Sequence, residues 1–192
     1  MADKTEQSEY LVFFLGNVRY ALPVGRVEEV LEIDRITRVP RAPEMLRGIV
    51  NVRGRVVPVM DLHSRFDVSE GPVSEEADSQ NAVSEDADPA HDSAGNTARE
   101  SRYIVVTVRL GDEDVSLAAT TDGVEGVVAI DPDQIDPPPK VGAGSGAGEA
   151  GEAVAGICRA DEGILLILDP DRILTADYLA AAYNNLRATG EV

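Results

Sequence analysis

Cysteine occurs once in this chain, lysine twice and histidine twice, and each shortage removes a class of function. With Cys158 alone, no intrachain disulfide can form, which fits a reducing compartment. His63 and His91 lack the His or Glu partner three or four residues away that a zinc site uses, and two histidines so placed assemble no Ser/His/acid or Cys/His constellation. No apolar run approaches bilayer-spanning length; Ile164–Leu168 is typical of what there is. The N-terminal MADKTEQSE holds no apolar segment, so a signal peptide is not expected and the chain is expected to be cytoplasmic. Gly142–Gly148 is glycine-rich, but no strand runs into it and no helix opens after it, so it reads as a linker rather than a phosphate cradle. Asp131–Asp133 and Asp169–Asp171 lack the glycine turn and distal Glu of a calcium loop. No catalytic residue, metal or cofactor is expected.

What the chain has in excess is negative charge. Asp and Glu number 35 against 17 Lys and Arg, for a formal net charge of −18, and all but two of the basic residues are arginine. A surface rich in carboxylates and poor in lysine stays hydrated where salt screens its self-repulsion, which points to the cytoplasm of an extreme halophile. It excludes nucleic acid as a partner, since that needs a basic surface.

The elements read mainly as strands. Tyr10–Leu15, Val18–Leu22, Val27–Ile33, Ile36–Val39, Ile49–Val52 and Val56–Met60 are β-rich and separated by turn residues. Ala42–Arg47 reads as a short helix closed by Gly48. Pro58 places its strand at an edge or a barrel bend, and Asp61 can cap a helical turn over Leu62–Phe66. His63 is expected to be partly exposed there, and Cys158 a buried structural residue. Strands resume at Tyr103–Leu110, Val115–Thr120, Val124–Ile130, Ile157 and Ile164–Leu168. Residues 1–8 are expected to be disordered. Residues 69–100 carry nine acids and one arginine, with no aromatic and no periodicity, and read as a disordered acidic insertion. That leaves a first subdomain over 9–68 and a second over 101–192, the latter with a Gly/Ala loop at 140–152 and a helix at 177–187.

The two halves echo each other. Val27–Asp34 matches Val124–Asp131 at five of eight positions, and Gly48-Ile49…Asp61 matches Gly156-Ile157…Asp169 at constant spacing. Each follows a Leu-Gly turn, Leu15-Gly16 and Leu110-Gly111. Two similar β-subdomains of about five strands each account for this. Where the first copy has Asn51, Arg53 and Pro58, the second has Arg159, Asp161 and Leu166. The shared apolar positions are framework, and the unshared ones are candidates for function. Among them Arg53, in a stretch that concentrates five of the arginines between Ile36 and Leu62, is expected to be held by Glu29. Such a surface pair is worth about 0–1 kcal/mol, so its use is positioning.

Glu9-Tyr-Leu-Val-Phe13, Val27-Glu-Glu-Val30, Ile36-Thr-Arg-Val-Pro40, Gly48-Ile-Val-Asn-Val-Arg-Gly54 and Val57-Pro-Val-Met-Asp-Leu62 closely resemble the CheW family of chemotaxis coupling proteins. Tyr103–Val108, Thr121-Asp-Gly-Val124 and Leu165–Leu168 continue the likeness. The resemblance implies an all-β fold of two SH3-like five-stranded barrels around a shared core, with short helices and a C-terminal helix. It implies no catalytic activity. It implies binding to methyl-accepting receptors in a groove between the barrels, at Val27, Glu29, Val30, Arg53 and Gly54, and to the histidine kinase CheA through barrel surfaces. Gly48, Asn51, Pro58 and Asp61 are then the structural part of the motif. No nucleic acid and no direct membrane insertion are implied. The alternatives are a CheW-like module cut from a larger regulator and an unrelated ligand-binding protein on SH3-like barrels. Deleting 69–100 should leave the melting temperature nearly unchanged, because closing a longer loop costs little more than closing a shorter one; a large drop would show the segment to be ordered.

Overall fold

The computed structural model describes residues 7–33, 35–40, 42, 45–68, 102–138, 151–160 and 163–173. The expected disorder of 1–8 and 69–100, the loop at 140–152 and the helix at 177–187 fall wholly or largely outside these residues. The strands are β1 Ser8–Leu15, β2 Val18–Pro23, β3 Val27–Leu31, β4 Leu46–Val52, β5 Arg55–Met60, β6 Arg102–Leu110, β7 Glu113–Thr121, β8 Gly123–Ile130, β9 Ile135–Asp136, β10 Val154–Ala160 and β11 Gly163–Leu168. Helix α1, Leu62–Phe66, follows β5, and α2, Pro170–Ile173, follows β11.

These strands form a six-stranded sheet, ordered β8-β1-β2-β11-β10-β9, and a five-stranded sheet, ordered β3-β6-β7-β5-β4. The sheets are therefore not the two halves of the chain, and a division into 9–68 and 101–192 does not describe them. The hairpin β1–β2 lies in the sheet of the second half, between β8 and β11, and β6–β7 lies in the sheet of the first, between β3 and β5. We call the six-stranded barrel A and the five-stranded barrel B. A sequence repeat reports which strands exist; pairing is decided by which edges meet, and here the halves exchange hairpins. Segment 69–101 joins α1 to β6, so it connects two parts of barrel B rather than the two barrels.

The exchange obeys the repeat to the residue. Each borrowed hairpin pairs parallel with the last strand of its host, Ile167 opposite Ala21 in barrel A and Val59 opposite Ala118 in barrel B. Each also pairs antiparallel with a strand carrying one extra residue. Glu28 is inserted between the pairs Val27↔Val106 and Glu29↔Val105, and Glu125 between Val124↔Phe13 and Gly126↔Val12.

Burial explains why the exchanged hairpins are so apolar. Leu11, Phe13 and Leu15 on one face of β1 meet Ile104, Val106 and Val108 of β6 in a shared core with Leu22, Leu62, Leu117, Leu168 and Ile173. Val12, on the opposite face, packs inside barrel A with Ala21, Ile130, Cys158, Leu165 and Ile167. Val105 does the same inside barrel B with Val50, Val52, Val57, Val59 and Ala118. Strands buried on both faces lose the polar alternation of a half-exposed strand. Each fully buried Leu, Val or Phe here contributes about 1.5–3 kcal/mol.

The helix expected over 42–47 is not there, because Leu46 and Arg47 already belong to β4, Leu46 opposite Met60. Gly48 marks a register shift in that pairing instead of a helix end. Its φ is 151°, and a Cβ on it would lie 2.3 Å from the Thr37 carbonyl oxygen and 2.7 Å from Ile36 Cγ2. The Ile36–Thr37 segment crosses directly over it, with Thr37 and Ile49 exchanging backbone hydrogen bonds of 2.8 and 2.9 Å. The repeat's other glycine, Gly156, is crossed in the same way by Ile135 of β9, 2.5 Å from where a Cβ would stand. Pro58 is buried in an interior strand, not at a sheet edge; it precedes the point, Val59, where the ladder to β7 begins, so no donor is missed. Gly48→Ala should cost about 3 kcal/mol or more, from backbone strain plus overpacking. Gly54→Ala, with φ 87° and open space around it, should cost about 1 kcal/mol. Urea unfolding of the two variants separates these effects, and equal losses would show that the Thr37 contact carries no weight.

Candidate functional site

The site begins with a turn. Val52 pairs with Arg55, leaving Arg53-Gly54 as a two-residue connection between β4 and β5. Both have positive φ, 52° and 87°, as the tightest hairpin turns require. Asn51 steadies the turn by accepting the Gly54 N–H at 2.7 Å. Asn or Gly is the comfortable residue at the first position; arginine in a left-handed conformation costs about 1–2 kcal/mol.

Barrel closure then brings β3 to this turn. β3 and β4 are opposite edges of the five-stranded sheet, so a contact between β3 and the β4–β5 tip means the sheet has curled shut. Arg53 donates to Glu29 Oε2 through Nε at 3.1 Å and Nη2 at 2.8 Å. The glutamate side chain is 13% exposed and the arginine 78%, so the acid is a fixed support and the guanidinium is displayed. Beside it Glu28 accepts from Arg55 at 2.7 Å, Ser116 at 2.6 Å and Thr107 at 3.0 Å. Burial alone would raise the Glu28 carboxyl, but Ser116, Arg55 and Thr107 outweigh it and hold the group below its ordinary value.

The repeat separates what both barrels share in this cluster from what one has alone. Glu125 occupies in barrel A the place of Glu28, and it accepts from Arg19 at 2.9 and 2.6 Å. Arg19 in turn occupies the place of Ser116, by the matched registers of β2 and β7. A glutamate bonded to the middle of the sheet is thus common to both barrels. Glu29 is not: its counterpart is Gly126. The pair that barrel B alone possesses is Glu29–Arg53.

The structure does not place all the expected groove residues on one face. Val27 and Val30 lie opposite Val106 and Ile104, on the side of the shared core, where Val27 packs and Val30 remains 38% exposed. Glu29 lies opposite Val105, on the side of the barrel interior. Both faces are reached from the free edge of β3. Val127, the counterpart of Val30 in barrel A, is likewise exposed (54%), opposite Leu11 of the shared core.

Asp61 caps α1, accepting the His63 N–H at 3.0 Å, and also accepts from Arg47 Nε at 2.9 Å. Burial would raise its carboxyl, but the hydrogen bonds from His63 and Arg47, with the charge of Arg47, hold it well below the usual carboxylate range. His63 is buried rather than partly exposed, because α1 packs it under the turn between β7 and β8. Cys158 is buried inside barrel A, where burial first, and Asp136 after it, push its thiol up.

Two barrels of like topology, fused through one core, define a double SH3-like barrel protein. Residues 9–177 match the family model described as the CheW-like domain, and the chain belongs to the CheW family. The chemotaxis protein CheW of Klebsiella aerogenes is 27% identical over 184 residues, 96% of this chain and 92% of that protein. Its counterpart in Bacillus subtilis is 33% identical over 66 residues, 34% of this chain and 42% of that one. Among solved structures, the scaffolding protein TtCheW from Thermoanaerobacter tengcongensis superposes with a TM-score of 0.65 at 27% identity, covering 90% of this chain and 96% of that one.

Proposed function

We infer that this chain is a non-enzymatic chemotaxis adaptor that holds methyl-accepting receptors and the histidine kinase CheA together in signalling arrays. The observation that supports a recognition role most directly is Arg53. Its left-handed backbone costs about 1–2 kcal/mol, and its exposed ion pair returns about 0–1 kcal/mol. Arginine is therefore kept at this turn against stability, for what it displays. Positive charge on an otherwise acidic surface, beside the Val27–Val30 rim, suits a receptor tip that offers an apolar ridge and an acceptor. The proposed receptor surface is Val27, Glu29, Val30, Arg53 and Gly54, extended by Val127, with Gly48, Asn51, Pro58 and Asp61 as its support.

Mechanism follows from geometry rather than chemistry. An adaptor that binds two partners at once converts their meeting into an intramolecular event. A receptor state that fits the adaptor differently then biases the kinase by that difference in affinity. We place the protein in the cytoplasm, recruited to receptor arrays; among the described residues no helix is long and apolar enough to cross a membrane. The charge of −18 supports a halophilic cytoplasm as the working medium.

Arg53→Asn should melt at the same temperature as the native chain or higher, yet recover at least tenfold less receptor in a pull-down with reconstituted kinase and receptors. A variant that unfolds would make the arginine structural, and one that binds normally would remove it from the receptor surface. Raising KCl from about 0.15 to about 3 M should raise the unfolding midpoint by screening carboxylate repulsion, and a flat response would sink the halophilic reading.

A further inference from the structure

Two of the ties between the barrels are related by the internal symmetry. After β5 of barrel B and after β11 of barrel A an aspartate caps a short helix, Asp61 accepting the His63 N–H and Asp169 accepting the Asp171 N–H, both at 3.0 Å. The backbone repeats as well, with Asp61 N–H on the Met45 carbonyl at 2.8 Å and Asp169 N–H on the Ala153 carbonyl at 2.9 Å. In each case the residue two beyond the cap reaches toward the other barrel. Asp171, following barrel A, accepts the Arg109 N–H of barrel B at 2.6 Å and pairs with Arg26, which also donates Nε to the Thr107 carbonyl at 2.9 Å. His63, following barrel B, bonds Asp122 Oδ2 through Nε2 at 2.9 Å, and the same oxygen accepts the Gly16 N–H of barrel A at 2.5 Å.

The two ties differ in the sign and permanence of their charge. Asp171 is an anion meeting an arginine, which never releases its proton at physiological pH. His63 is the reverse, a cation on the helix facing an anion on the turn, and its charge can be lost. The ring is 7% exposed, and Nδ1 stands 3.5 Å from Asp61 Oδ1 with no hydrogen-bond partner. A neutral imidazole therefore has to turn an unshared pair toward Asp61 or toward Asp122; only the imidazolium suits both. The groups that face it are those two carboxylates, Arg47 from β4 through its bond to Asp61, the Thr120 hydroxyl of β7 at 3.4 Å from Asp61, and the Gly16 amide through Asp122. Arg65, two residues further along α1, donates instead to the Ile173 carbonyl at 2.8 Å.

We propose that His63–Asp122 is a titratable latch between the barrels, closed while the imidazole carries its proton and loosened when the proton leaves. Asp61 first and then Asp122 raise the proton affinity of the ring above its ordinary value of 6.5, against the opposing effect of burial. A group raised in this way contributes its full stability below the unfolded value and loses it as pH climbs through the folded one. The latch is therefore closed at low pH and loosens as pH climbs through the folded-state value of the ring. The Arg26–Asp171 tie and the Arg65–Ile173 contact hold no imidazole, so the loss falls on the link between α1 and the β1–β2 turn.

The test is a pH titration of the full chain by NMR, following the imidazole signals of His63 and His91 and the amide of Gly16. The Gly16 amide should move with the same midpoint as His63, above the ordinary histidine value of 6.5. Asp122→Asn should lower the His63 midpoint. The melting temperature of the native chain should fall across the same interval, and that of His63→Arg, whose charge is permanent, should not. The proposal is overturned by a Gly16 amide that ignores the His63 transition, or by a His63 midpoint at or below 6.5. If His63→Arg does not fold, the native titration alone decides between these results.

Discussion

The structure depends on the exchange of two hairpins. β1–β2 completes the barrel made by the end of the chain, and β6–β7 completes the one made by its middle, so neither half of the sequence can close a barrel from its own strands. Because each hairpin is packed on both faces, the same strands build, through alternate residues, the inside of one barrel and the wall between the two. The shared core of Phe13, Leu22, Leu62, Ile104, Leu117 and Leu168 is consequently an intramolecular product of the exchange rather than an interface between finished domains. Rigid-body freedom between the barrels is limited to what that core and the polar ties across it allow.

Legibility in the sequence tracked locality. Strand positions were readable because β-branched residues and turn signals act over a few residues, and the repeat was readable because equivalent strands carry equivalent patterns. The partner of each strand was not, since β1 meets β8 and β2 meets β11 across more than a hundred residues and nothing in β1 names its neighbour. The short helix expected at 42–47 failed for a related reason: its local sequence favours a helix, but Leu46 has a strand partner, Met60, in space. His63 was misjudged because its burial comes from the turn after β7, which the local pattern around α1 cannot reveal.

The Glu29–Arg53 pair was legible through contrast. Two copies of one framework subtract to leave the residues that the framework does not need, and structure strengthens the subtraction by showing that Glu28 has a working counterpart in Glu125 while Glu29 has none. What the subtraction could not supply was direction. Glu29 and Val30 are adjacent in sequence and leave opposite faces of the same strand, so the proposed receptor surface has an apolar side and a charged side on one edge strand. The Glu29–Arg53 pair stands where the two barrels cease to be equivalent.

The order in which the strands belong to the barrels also governs synthesis. Barrel B is a continuous stretch from β3 to β7, whereas barrel A is assembled from both ends of the described chain. During translation the middle barrel can therefore finish first, while β1–β2 waits for partners such as Asp122, 106 residues beyond Gly16. At about 5–20 residues per second that is a wait of about 5–20 s for a hairpin with two apolar faces and nothing yet to cover them. The nascent chain is most exposed to aggregation and to chaperone capture at its own beginning, and the risk ends only when the last strands leave the ribosome.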